Sequence, residues 1–85
     1  IIDSVGWAYY LTQDYDLAEK FLKNALLIMP EDPIVNDHYG DVMWKLDMKL
    51  QARYYWNAAL SSDEAEEKLI DDINKKLLFG LKNLQ

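Results

Sequence analysis

Apolar residues recur along this chain every three or four positions, the spacing that gathers them into one stripe of an α-helix. The pattern predicts a first helix over residues 1–12 and a second over 15–28, with Asp14 at the second helix's N-cap. Met29-Pro30-Glu31-Asp32-Pro33 reads as a connection. Pro30 stops the second helix, while Asp32 caps and Pro33 opens the third. The third helix should end near Leu46, and a fourth should run over residues 49–60. From 63 to 82 the pattern describes one long amphipathic helix with Leu69, Ile70, Ile73, Leu77, Leu81 and Leu84 on one side. Acidic residues fill its start and lysines follow, which suits the helix dipole. Glu64–Lys68, Asp71–Lys75 and Asp72–Lys76 are expected as favourable i,i+4 pairs, each worth roughly 0.3 kcal/mol. Gly80 should be a weak point near its end. No useful stretch alternates with period two, so no strand is expected. Connections of two to four residues require successive helices to lie antiparallel and adjacent.

The helical pattern repeats. Gly6 and Gly40 lie 34 residues apart, and the same offset joins Asp3 to Asp37, Ala18 to Ala52, Ala25 to Ala59 and Leu26 to Leu60. Aromatic positions recur at it too, Tyr10 with Trp44 and Phe21 with Tyr55. These coincidences fall on the small and apolar positions that helix packing constrains. Small residues let two helices approach closely, and large ones fill the gaps between them.

Within the first unit the residues read Ile2-x2-Val5-Gly6-x2-Tyr9, then Ala18-x3-Leu22, Ala25 and Pro30. In the second they read Asn36-x2-Tyr39-Gly40-x2-Met43, then Ala52-x3-Trp56 and Ala59. Over residues 1–62 this resembles the tetratricopeptide (TPR) repeat, whose 34-residue helix pairs carry W-x2-L-G-x2-Y, A-x3-F and a closing proline. The phrases around Gly6 and Gly40 also look like the C-terminal repeats of longer bacterial members. The resemblance implies an all-α, right-handed superhelical array. One repeat would span residues 1–32, N-terminally truncated, and a second 33–62, with a capping helix over 63–85. Two departures stand out. Gln13 and Asp47 occupy the intra-unit turn where the family has glycine, so the first turn should be strained or differently built. Glu64 replaces the second closing proline.

In TPR arrays the first helix of each pair lines a concave groove that holds peptides or partner helices. Carried onto this chain, the resemblance implies Asp3, Trp7, Tyr10 and Leu11 from the first helix and Asp37, Asp41, Trp44 and Lys45 from the third. The same register adds Asp71, Lys75, Leu78 and Phe79 from the fifth. Such a groove would have an acidic end at Asp3, Asp37 and Asp71 and an apolar end at Tyr10, Trp44, Leu78 and Phe79. The competing reading of Trp7, Tyr10 and Trp44 is that they pack between helices and contribute stability alone. One TPR subgroup grips C-terminal carboxylates with a lysine–asparagine clamp. The corresponding Asp3, Trp7, Asp37 and Asp41 would repel that ligand.

Composition narrows the function further. The 85 residues are 51% hydrophobic, 13% aromatic and 28% charged, the balance of one small folded domain. A net charge of −6 opposes nucleic-acid binding, which needs a basic stripe, and favours basic or neutral partners through steering. There is no cysteine, so disulfides and thiolate metal sites are excluded. The longest apolar run, Ala25-Leu26-Leu27-Ile28-Met29, is far short of the roughly 20 residues that cross a bilayer. His38, the lone histidine, has too few companions for a metal or acid–base site and reads as a capping or surface residue. Ser4, Ser61 and Ser62 have no base at a suggestive spacing, and the latter two suit helix capping. The expected function is therefore protein or peptide binding without catalysis or cofactor. The chain opens on Ile1, as an excised piece would, and a truncated first unit would leave Ile1, Ile2, Val5, Leu17 and Phe21 uncovered. Self-association, through dimerisation or exchange of helices, is the alternative function.

Overall fold

A computed structural model describes residues 4–81. These form five α-helices: α1 (Ser4–Leu11), α2 (Tyr15–Ile28), α3 (Pro33–Lys45), α4 (Lys49–Leu60) and α5 (Glu67–Phe79). No strand occurs among the described residues. Consecutive helices pack against each other along the chain, with α3 and α4 the most extensively joined.

The 34-residue offset seen in the sequence holds in the backbone. Gln13 and Asp47 both adopt positive φ, at 66° and 65°. The Gln13 N–H donates to the Tyr10 carbonyl at 3.0 Å and the Asp14 N–H to the Tyr9 carbonyl at 2.9 Å. One unit later the Asp47 N–H donates to Trp44 at 3.0 Å and the Met48 N–H to Met43 at 2.8 Å. Each pair of bonds satisfies carbonyls that the end of a helix leaves open, in the left-handed arrangement that ordinarily uses glycine. The two intra-unit turns are therefore built alike, and the first is not a different construction. Its strain is that of a glutamine in a left-handed backbone.

Packing repeats as well. A methyl group at Gly6 would stand 2.7 Å from Leu22 Cγ, and one at Gly40 would stand 2.5 Å from Trp56 Cδ1. Leu22 and Trp56 are themselves 34 residues apart, so each helix pair closes on the same contact. Ala18, Leu22 and Ala25 in α2, and Ala52, Trp56 and Ala59 in α4, are all buried. Tyr10, Tyr39, Val42, Met43 and Ile73 complete the core. Tyr39 also donates from its hydroxyl to Glu19 Oε2 at 2.7 Å, tying α3 to α2.

The helix ends differ from expectation in three places. Asp32 caps α3 as expected, its Oδ1 accepting from the Ile34 N–H at 2.8 Å and the Val35 N–H at 3.1 Å. Asp14 occupies the N-cap of α2, but its side chain makes no capping bond. Its ψ of 72° departs from the extended backbone that aims a capping oxygen at the first turn. The fifth helix begins at Glu67, not at residue 63. Before it, Ser62 Oγ accepts from the Glu64 N–H at 3.1 Å and the Ala65 N–H donates to the Ser62 carbonyl at 3.3 Å, so Asp63 and Glu64 belong to a connection. It ends at Phe79, where Gly80 turns to φ 72° and seats against Trp44. The helix thus stops short of the expected end at 82, a position that itself lies outside the described residues.

Glycine removes the left-handed penalty of about 1 kcal/mol at such turns. Gln13→Gly should therefore raise unfolding free energy by about 1 kcal/mol in urea titration, and Asp47→Gly by less, because aspartate tolerates this backbone better. A loss of stability in Gln13→Gly would mean that its side chain holds the turn.

Candidate functional site

Two carboxylates one helical turn apart on α3, Asp37 and Asp41, are buried at 5% and 2% exposure. Buried carboxylates need a cation or several donors. Lys76 of α5 supplies the charge: its Nζ donates to Asp37 Oδ1 at 2.8 Å and to Asp41 Oδ1 and Oδ2 at 2.9 and 3.1 Å. Trp56 Nε1 of α4 donates to Asp41 Oδ1 at 3.0 Å. Three helices thus meet at one polar cluster inside the core.

The cluster contains two negative charges and one positive. Burial and the neighbouring Asp37 charge push the Asp41 carboxyl up to about 7, against the pull of Lys76 and the Trp56 donor. Burial alone would lower the Lys76 ammonium, but Asp41 and Asp37 outweigh it and hold its pKa above the ordinary lysine value. The Tyr10 hydroxyl, also buried, has no hydrogen-bond partner. Burial first, and then the Asp41 charge, raise its pKa.

Around this cluster runs a row of rings. Trp7 stacks on Tyr10 at 4.4 Å and on His38 at 3.8 Å, linking α1 to α3. Trp44 stacks on Trp56 at 5.5 Å, with Lys49 Nζ 4.8 Å from the Trp44 ring centre. These contacts belong to the packing between helices.

The residues expected to line a groove consequently separate. Tyr10, Asp37 and Asp41 are buried, which removes them from any surface that a partner touches on this fold. The expected acidic end is closed at Asp37 because Lys76 neutralises it from within. Trp7, Trp44 and Lys45 are half-buried, and Leu11, Asp71, Lys75, Leu78 and Phe79 are exposed. Asp3 lies outside the described residues. The expected Asp72–Lys76 pair is replaced, because Lys76 turns inward and Asp72 instead pairs with Lys68 at 3.2 Å. Glu64 precedes the helix, so it forms no intrahelical pair with Lys68.

Sequence reasoning missed Lys76. The signal was present: Lys76 falls three residues after Ile73 and one before Leu77, within the apolar stripe of its helix. A cation in that stripe, facing a chain with two carboxylates at i,i+4, has an obvious destination. Among the described residues no group of three or more histidine, aspartate or glutamate side chains could hold a metal ion. No described helix is long and apolar enough to cross a membrane.

Two measurements probe this cluster. Folding raises the proton affinity of Asp41, so the native state binds more protons than the unfolded chain between the ordinary aspartate range and about pH 7. Acidification from pH 8 to 5.5 should then stabilise the wild type relative to Asp41→Asn by about 1–2 kcal/mol. A constant difference in urea midpoint between the two proteins would show that Asp41 titrates normally. Tyr10→Phe deletes an unpaired buried hydroxyl and should be neutral or stabilising by up to about 1 kcal/mol. A clear loss on thermal unfolding would show that the hydroxyl is bonded.

No protein-family model, curated protein or solved structure matches the chain.

Proposed function

We propose that this chain is a TPR-type module that holds a peptide or helix of a partner protein, with α5 as the capping helix of a right-handed array. The observation that carries the reading is the repetition of one helix hairpin at a 34-residue offset, in turn geometry and in the Gly6–Leu22 and Gly40–Trp56 contacts. A repeat of this kind forms an extended surface from successive first helices. On that surface Leu11 and Leu78 are 65% and 75% exposed, and Trp7, Trp44 and Lys45 are partly so. They supply apolar anchors with a charge beside them, a composition that suits an amphipathic or extended segment. Tyr10, Asp37 and Asp41 support this surface from below. Peptides selected by display against the chain should carry apolar anchors and lose at least about tenfold in affinity on Leu11→Ser or Leu78→Ser, a free-energy difference of about 1.4 kcal/mol or more. Both side chains are exposed, so the unfolding midpoint should stay unchanged. Selected peptides that bind both variants as tightly as wild type would defeat the proposal.

A second reading, self-association, is favoured by one comparison within the chain. Val5 and Phe21 are 51% and 40% exposed, whereas of their equivalents in the second unit Tyr39 is buried and Tyr55 half-buried, the two packing edge to face at 4.7 Å. The first unit therefore offers an apolar edge of the type that the second buries. If that edge joins copies, the thermal midpoint rises with protein concentration and Phe21→Ser abolishes the rise. A midpoint independent of concentration, with monomer mass in light scattering over a hundredfold range (about two decades on an affinity scale), eliminates this reading.

A further inference from the structure

Connections at 29–32 and 61–66 follow the second helix of each pair, and the 34-residue offset aligns 29–32 with 63–66 of the longer one. Between them, at the C-terminal end of α4, lies a cleft of about 920 Å³. Its floor is partly apolar: Met29, Pro30 and Ala58 line it, and Tyr54 projects with 67% exposure. Tyr54 is braced edge-on against Tyr55 at 5.0 Å, which steadies its ring. The rim is acidic. Glu31 comes from the first connection, Asp63 and Glu64 from the second, and among the described residues no lysine or arginine lines the cleft. Among the described residues none of these three carboxylates is in an ion pair. Asp32, by contrast, is engaged as the cap of α3.

The two features together select an occupant. A purely apolar segment would cover Tyr54 and Met29 but strip water from three carboxylates, which costs free energy without a compensating charge. A purely charged one would leave the floor wet. Arginine satisfies both, because its aliphatic stem covers apolar surface, its flat guanidinium stacks on a tyrosine ring and its donor fork matches carboxylates. The volume exceeds that of one side chain and suits a few residues of extended chain. Nucleic acid is opposed by the sign of the charge. The serine hydroxyls in the cleft each hold one backbone bond, Ser61 donating to the Asn57 carbonyl and Ser62 accepting from the Glu64 N–H.

We propose that the cleft between the two acidic connections docks an arginine-bearing segment of a partner protein, with Glu31, Asp63 and Glu64 receiving the guanidinium and Tyr54 its flat face. This site lies apart from the α1–α3–α5 surface, so a partner could engage the module at either place independently.

The test is a titration of the isotope-labelled chain with a capped Arg-Leu-Arg-Leu peptide, followed by backbone amide NMR. The expected shifts cluster at residues 29–31, 54–58 and 61–64. Affinity should fall at least about tenfold in Glu31→Gln/Glu64→Gln and in Tyr54→Ala, and for a peptide with citrulline in place of arginine. The exposed positions of all three residues leave the fold intact, which unshifted amides elsewhere will verify. Shifts spread evenly over the acidic surface, binding indifferent to Tyr54→Ala, equal binding of the citrulline peptide, or no saturable binding at millimolar peptide would each overturn the proposal.

Discussion

Trp56 lies so close over Gly40 that a single methyl group there would stand 2.5 Å from its ring, and much of the structure follows from that approach. The contact brings α3 and α4 together. It also places the indole N–H 3.0 Å from Asp41 and the ring 5.5 Å from Trp44. One fully buried side chain thus joins the apolar core, the charged cluster and the aromatic row. Enlarging residue 40 would push on all three at once, because a close-packed interior has no slack to absorb the displacement.

The charged cluster gives α5 a defined seat. Helix-on-helix burial is weakly directional, and α5 buries only Ile73 completely among its apolar residues. Lys76 must reach two carboxylates on α3 simultaneously, and Gly80 must lie on Trp44, so the register of α5 is fixed at two points about one turn apart. Breaking such a buried pair by removing one partner costs about 3–5 kcal/mol, because it strands a charge. The net contribution of the intact cluster is much smaller than that. Its value here lies in specifying where the last helix sits.

The helices and their repeat were legible in the sequence because both depend on spacing alone. α2 and α4 run over the residues that the apolar period marks, and Gly6, Ala18 and Ala25 with their equivalents mark the close contacts. What was not legible depended on competition between partners in space. Asp72 and Lys76 are well placed for a helical pair, yet Lys76 turns inward, since a buried pair of carboxylates attracts it more strongly than one exposed carboxylate does. The start of α5 was misplaced for a local reason, because Ser62 offers the backbone a turn that an acidic run alone does not reveal. Asp14 has the right residue type for a cap, but the left-handed residue before it sets a different backbone.

The two units answer the same geometric demand with different residues, and the differences follow their surroundings. At the position facing the small glycine, the first unit has Leu22 and the second Trp56. At the next helix edge, Val5 becomes Tyr39 and Phe21 becomes Tyr55. The second unit is enclosed by α2 on one side and α5 on the other, so its larger side chains carry polar atoms that find partners: Trp56 reaches Asp41, and Tyr39 reaches Glu19. A tyrosine or tryptophan is tolerated in a core only where its polar atom can be satisfied. The first unit, enclosed on one side only, keeps plain hydrocarbon at those positions. Tyr10 of the first unit, by contrast, has its hydroxyl enclosed and unpaired beside the charged cluster. In the second unit the neighbouring helices thus supply the partners that let Tyr39 and Trp56 be buried.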